Sequence, residues 1–190
     1  KEVFQEVDEA LKQPLSELIF NGPIEELTKT ENAQPALMAT SIAALKVLEK
    51  QGNINIADIC SFVAGHSLGE YSALVAAQSL SISDAAKILH IRGNAMAKAG
   101  QKSQGAMAAI IGVDIAKAQE IADKCAESDI CQIANDNSPG QIVVSGNVNA
   151  IDRIVVNAKA MGVIMAVKLP VSGAFHSELI ASAQAELAAG

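Results

Sequence analysis

Ser67 stands between two glycines in Gly65-His66-Ser67-Leu68-Gly69, a Gly-x-Ser-x-Gly frame. Such a frame makes a nucleophile elbow when a strand leads into it and a helix leads out, because the sharp turn lifts the hydroxyl clear of both. The helix start then supplies unpaired N–H donors and a partial positive charge. Both favour an alkoxide-like nucleophile and the oxyanion formed when it attacks a carbonyl. The N–H of Leu68, next after the serine, is the natural first donor of an oxyanion hole. The bland alternative is a glycine-rich turn whose serine only caps a helix.

A serine hydroxyl needs a base, and the chain has three histidines. His66 adjoins Ser67, and neighbours on a tight turn point apart. His90 falls mid-helix, where a histidine is commonly a surface or satisfied residue. His176, in the run "GAFHSELI", falls near the start of an expected helix, whose dipole would keep the imidazole neutral and able to accept a proton. Its alternative reading is a helix capper. Arg92 shares a stripe with Ala85, Leu89 and Met96 on one helix, so the guanidinium is expected on the apolar face. A cation buried there is costly without a partner. The partner is an internal Asp or Glu, or water reached by snorkelling, or a carboxylate that arrives with a substrate and is gripped by the planar fork.

Composition limits what such a site can serve. The 190 residues suit one domain or two small subdomains, half apolar but only 3% aromatic and without tryptophan. A net charge of -7 speaks against nucleic acid, which needs a basic face. No apolar run is long enough to span a membrane, and the first residues do not resemble a signal peptide. Cys60, Cys125 and Cys131 show no C-x-x-C spacing, which fits reduced thiols in a cytoplasm. The chain opens without methionine and is expected to be a piece of a longer protein.

Elements can be placed around these residues. A helix is expected over "ENAQPALMATSIAALKVLEKQG", capped by Asn32, with Pro35 in its first turn and Gly52 as its stop. Asp58 to Gly65 reads as a buried parallel strand leading into the elbow, and a helix follows through "SLGEYSALVAAQ". The Arg92 helix is framed by Ser83 and Gly100. Residues 106–113 read as a strand, and Asp114 caps a helix to about Ser128. Residues 130–135 and 141–145 read as strands joined by "DNSPG". A helix over 148–161 stops at Gly162, and a strand covers 163–169. Strand–helix–strand–strand–helix–strand is the ferredoxin-like order. The chain then passes Pro170 into a last helix with His176 near its start. A strand–elbow–helix unit is thus interrupted by a small α+β insert, which lets a distant residue return to the serine.

The pieces "TENAQPAL", "GHSLGEYSA", "IRGNAM", "NDNSPGQIVVSG" and "PVSGAFHS" occur in this order across most of the chain. Together they resemble the malonyl-CoA:acyl carrier protein transacylases, and the chain is similar to the acyltransferase domains of polyketide synthases. The resemblance implies an α/β fold: an α/β-hydrolase-like core with a parallel sheet over 1–103 and 170–190, and a ferredoxin-like subdomain over 104–169. It implies Ser67 as nucleophile, His176 as base, Leu68 as oxyanion donor and Arg92 as clamp for the malonyl carboxylate. Leu68 and Phe175 resemble malonyl-selective rather than methylmalonyl-selective members. Members of this family also carry an earlier strand with a Gly-Gln-Gly-Ser-Gln segment. They orient the histidine through a backbone carbonyl beyond residue 190; neither feature is among these residues.

The expected reaction is ping-pong transfer of malonyl from coenzyme A to the pantetheine thiol of acyl carrier protein in fatty acid biosynthesis, through a malonyl-serine. Malonyl-CoA and acyl carrier protein are the expected partners, with neither nucleic acid nor membrane, in a cytoplasmic monomer. No metal or redox cofactor is expected, coenzyme A entering as its thioester. A serine esterase or thioesterase would use the same serine and histidine, and a non-catalytic fragment binding only the carrier protein is the third reading.

Overall fold

A computed structural model describes residues 1–171 and 173–189. Ser172, within "PVSGAFHS", and Gly190, the last residue of the expected core, lie outside the described residues. The chain divides into two compact units, Lys1–Asn94 and Ala95–Ala189.

The first unit is helical: α1 (Glu2–Leu11), α2 (Leu15–Asn21), α3 (Ile24–Leu27), α4 (Thr30–Gly52), α5 (Ile56–Ile59), α6 (Gly69–Ala76) and the leading part of α7 (Ile82–Lys102). Its core joins Val3 and Val7 of α1 to Leu15, to Met38 and Ile42 of α4, and to Leu89 of α7. On α1 the spacing of Val3 and Val7 sets one face inward, as amphipathic periodicity requires.

Helix α4 begins two residues before the cap expected at Asn32, whose side-chain amide instead donates to the Glu26 carbonyl at 2.9 Å. Pro35 therefore lies inside the helix rather than in its first turn. A proline has no N–H, so the Glu31 carbonyl one turn earlier loses its helical donor. His90 of α7 stands in, with Nδ1 3.2 Å from that oxygen. The contact requires the proton on Nδ1, and it makes His90 the satisfied residue its mid-helix position implied. The helix ends at Gly52, as expected, and a left-handed Asn53 caps it.

Two further expectations shift. The cap of α7 is Ser81, not Ser83: its hydroxyl accepts from the Asp84 N–H at 3.0 Å and donates to the Asp84 carboxylate at 2.7 Å. Ser83 points to Glu6. Asp58 to Gly65 is not a buried strand, because α5 occupies its start and the rest is irregular and exposed. Among the described residues no strand lies beside it, and without a neighbour a strand has no ladder to join.

The second unit holds β1 (Gly105–Ile111), α8 (Ile115–Ala126), β2 (Cys131–Ser138), β3 (Gln141–Asn147), α9 (Val148–Asn157) and β4 (Met165–Lys168). The strands form one antiparallel sheet in the order β2-β3-β1-β4. The described residues thus give an α/β protein with an antiparallel sheet; no parallel strand pair occurs among them. Alternate residues Ala106, Ala108 and Ile110 of β1 join Ile142 and Val144 of β3 in one core. Against them pack Ala118, Ile121 and Ala122 of α8 and Ala150, Ile151 and Ile154 of α9. Asp114 caps α8 by accepting from the Lys117 N–H at 2.7 Å, and a left-handed Gly162 closes the turn before β4.

Gly100 does not stop α7. It lies inside the helix, where its bare Cα meets Gly173: a Cβ on Gly173 would come within 2.9 Å of it. The segment from Gly173 onward accordingly belongs with residues 95–103 and the sheet in the second unit. The final helix α10 (Ser182–Ala189) begins later than expected, after a 3-10 turn over Glu178–Ile180.

The cysteines separate by burial. Cys125 and Cys131 are buried and Cys60 is exposed. Burial pushes the Cys131 thiol up to about 11, and at pH 8 only about one in a thousand such thiols is thiolate. Iodoacetamide at pH 8 should therefore modify Cys60 within minutes in the folded protein and leave Cys125 and Cys131 unmodified until denaturant is added, as read by peptide mass spectrometry.

Candidate active site

Ser67 occupies the turn before α6 with φ of +53°, a left-handed backbone that a side chain rarely adopts. The turn closes on itself: the Gly69 N–H donates to the His66 carbonyl at 2.9 Å and the Glu70 N–H to the Ser67 carbonyl at 3.2 Å. The Leu68 N–H takes part in neither bond. The two glycines of the frame do different work. A Cβ at Gly65 would lie 1.8 Å from the Gly69 carbonyl oxygen, so only glycine permits that backbone crossing. A Cβ at Gly69 would meet nothing within 4 Å.

Arg92 of α7 reaches this turn. Its Nη2 donates to Ser67 Oγ at 3.1 Å and its Nη1 to Gln34 Oε1 at 2.5 Å. The guanidinium carbon lies 6.0 Å from the centroid of the Tyr71 ring, at the outer limit of a cation–π contact. Ala85, Leu89 and Met96 on the same helix are buried, so the apolar stripe is real and Arg92 is half-buried within it. Burial lowers its pKa below the ordinary arginine value, opposed by Tyr71 and Glu70, yet a guanidinium stays protonated at neutral pH. Among the described residues no carboxylate forms an ion pair with it. Glu70 acts on it only through space, and no internal Asp or Glu among the described residues pairs with it directly.

The close seating of α7 on α4 makes this reach possible. A Cβ at Gly93 would fall 2.4 Å from the Glu31 Cα and 2.7 Å from the Thr30 carbonyl oxygen. Gly93, next to Arg92, therefore brings the two helix backbones together where Gln34 is met.

His176 belongs to the second unit. It is exposed, with φ of +58°, in a turn rather than on a helix. The expected dipole at a helix start does not act on it, since α10 begins at Ser182. The turn is held in register nonetheless. The Ser177 hydroxyl donates to the Ala174 carbonyl at 2.7 Å, the Glu178 N–H donates to Gln132 Oε1 at 2.9 Å, and Gln132 Nε2 donates to Glu178 Oε1 at 2.9 Å. Ser67, Leu68 and Arg92 thus share one neighbourhood in the first unit, and His176 is carried by the second. No group of three or more His, Cys, Asp or Glu among the described residues is placed to hold a metal ion. None of their helices is long and apolar enough to cross a membrane.

The family model described as acyl transferase domain matches residues 1–190. The chain belongs to this family. The malonyl CoA-acyl carrier protein transacylase of Bacillus subtilis is 47% identical over 188 residues, covering 98% of this chain and 58% of that protein. The crystal structure of an acyl-carrier-protein S-malonyltransferase from Bartonella henselae superposes with a TM-score of 0.90 at 51% identity, over 97% of this chain and 59% of that one. A malonyl-transacylase solved with its type II polyketide synthase acyl carrier protein gives 0.91 at 38% identity, over 99% and 60%. This acyl transferase chain thus spans about three-fifths of the length of the relatives it matches.

Within this acyl transferase chain, reading the sequence by apolar stripes missed Gln34, Thr30 and Tyr71. The available signal was a glutamine directly before a proline in an otherwise apolar run, where a polar side chain on a buried face demands a partner. The unequal glycines give a direct test. Gly65→Ala should lower the thermal unfolding midpoint, by about 3 kcal/mol or more of overpacking, and abolish labelling of Ser67 by a fluorophosphonate probe. Gly69→Ala, at the first position of α6, should leave both within error of wild type.

Proposed function

We propose that this chain carries the acyl-transfer site of a malonyl-CoA:acyl carrier protein transacylase. Ser67 Oγ attacks the thioester carbonyl of malonyl-CoA while His176 takes its proton. The tetrahedral oxyanion is met by the Leu68 N–H. The C–S bond then breaks, and coenzyme A leaves as a thiol with the proton relayed through His176. In the second half the pantetheine thiol of acyl carrier protein attacks the malonyl-serine ester, His176 again carries the proton, and Ser67 is regenerated. Acyl transfer of this kind calls for no metal or redox cofactor.

The observation that carries the reading is the 3.1 Å contact between Arg92 Nη2 and Ser67 Oγ, made by a guanidinium without a carboxylate partner among the described residues. Only a methylene separates the ester carbonyl of a malonyl-serine from its free carboxylate. A guanidinium at hydrogen-bond distance from Oγ is therefore within reach of that carboxylate, which it matches as a planar fork. The same contact favours transfer over simple ester hydrolysis, because a clamped anionic acyl group is held for an acceptor thiol. Relatives named malonyl CoA-acyl carrier protein transacylase, and one solved with a carrier protein, support both partners.

The fold reading extends in the same direction. Phe62 and Val63 on the run before the elbow are exposed, and they suit a strand of a parallel, α/β-hydrolase-like sheet formed with further chain. In that reading residues 1–103 and 170–190 make the core, and 104–169 make a ferredoxin-like subdomain. The acidic composition and unpaired cysteines fit a cytoplasmic monomer.

In the intact protein Ser67→Ala should abolish covalent loading by malonyl-CoA, read by intact-mass spectrometry, with the fold retained by circular dichroism. Arg92→Ala should lower kcat/KM for malonyl-CoA about 100-fold more than for acetyl-CoA, the loss expected when one partner of a desolvated charge pair is removed. Equal losses on the two substrates would reduce Arg92 to a structural residue.

A further inference from the structure

Gln34 is 3% exposed and lies on the side of α4 that faces Arg92. A guanidinium only donates hydrogen bonds, so the atom 2.5 Å from Arg92 Nη1 is the amide oxygen. The amide nitrogen is turned the other way and donates to Thr30 Oγ1 at 2.8 Å, one helical turn back. Thr30 thereby anchors the amide in the orientation that the guanidinium requires, and the oxygen holds one nitrogen of Arg92 while the other meets Ser67. The chain Thr30–Gln34–Arg92–Ser67 runs from the first residue of α4 to the elbow.

Its chemistry is selective in a way that packing alone would not require. A buried arginine is most strongly stabilised by a carboxylate, and glutamate is the isosteric acid of glutamine. Glutamate at position 34 would pair with the guanidinium as an internal counter-ion. A neutral acceptor instead restricts the side chain without adding a counter-charge in contact with it. We propose that Gln34 is a specificity-determining positioning residue: as a neutral amide oriented by Thr30, it aims Arg92 at the acyl group on Ser67 and reserves the positive charge for an acyl chain that ends in a carboxylate. This rests on the malonyl-transfer reading above.

The test measures loading of Ser67 by malonyl-CoA and by acetyl-CoA in the intact protein, by quenched-flow intact-mass spectrometry, and takes the ratio of the two kcat/KM values. Gln34→Glu should lower the malonyl-to-acetyl ratio about 100-fold by filling Arg92 with an internal anion, the loss falling on malonyl. Thr30→Val, which removes the hydroxyl that orients the amide, should lower the ratio about 10-fold, and Thr30→Ser should restore it. A merely structural role would depress both substrates alike. A ratio within twofold of wild type in both Gln34→Glu and Thr30→Val, with wild type loading malonyl normally, overturns the inference and leaves the proposed activity standing. Wild type that loads no malonyl overturns both. Should Gln34→Glu fail to fold by circular dichroism, the Thr30→Val and Thr30→Ser pair decides alone.

Discussion

A half-buried guanidinium satisfied by neutral groups governs the first unit. Desolvating a cation is costly, and a carboxylate is the usual remedy. Arg92 is met instead by an amide oxygen, a hydroxyl and the margin of an aromatic ring, each compensating part of the lost hydration. Those partners come from three places in the chain: Gln34 on α4, Ser67 at the elbow and Tyr71 on α6. Holding them around one side chain dictates the local architecture. α7 must approach α4 within backbone distance, which Gly93 allows, and α6 must start where the elbow presents Ser67.

The same contact region absorbs a fault in α4. Pro35 removes the N–H that would have met the Glu31 carbonyl, and His90, two residues before Arg92 on α7, meets it instead. One stretch of α7 therefore answers two demands of α4: His90 repairs the backbone ladder and Arg92 engages Gln34. A histidine donating from Nδ1 to a carbonyl in either protonation state is a structural histidine. That removes His90 from the list of bases on geometric grounds and leaves the turn at His176 as the site the proposed reaction draws on.

Much of this was legible before any coordinates. The Gly-x-Ser-x-Gly frame, the apolar stripe of α7 and the cap at Asp114 depend on neighbours a few residues away, and local spacing reports them. The order of the elements in the second unit follows from the same local signals, including the glycine turns at Gly140 and Gly162. What failed depends on distant neighbours. The apolar run before the elbow looks the same whether or not another strand lies beside it, since pairing is not encoded in the run itself. Gln34 and Arg92 are 58 positions apart, so nothing local announces that the glutamine selects the arginine's geometry. The cap of α7 is the exception: Ser81 and Asp84 stand three positions apart and bond reciprocally, a local signal that placing the cap at Ser83 passed over.

The departures from local rules cluster around one hydroxyl. Ser67 takes a left-handed backbone that would cost a side chain roughly 1–2 kcal/mol. Gly65 gives up a Cβ to let the turn cross itself, and Arg92 forgoes an acid. A sequence selected for stability alone would relieve each of these with a common substitution. Strain and incomplete charge compensation persist where the surrounding structure over-determines them, and such places are characteristically functional. Here the over-determination is visible: the turn bonds of Gly69 and Glu70 fix Ser67, and the pairing of α4 with α7 fixes Arg92. Both members of the 3.1 Å pair are thus held by bonds other than the one between them, which is what a site prepared for an anionic acyl group requires.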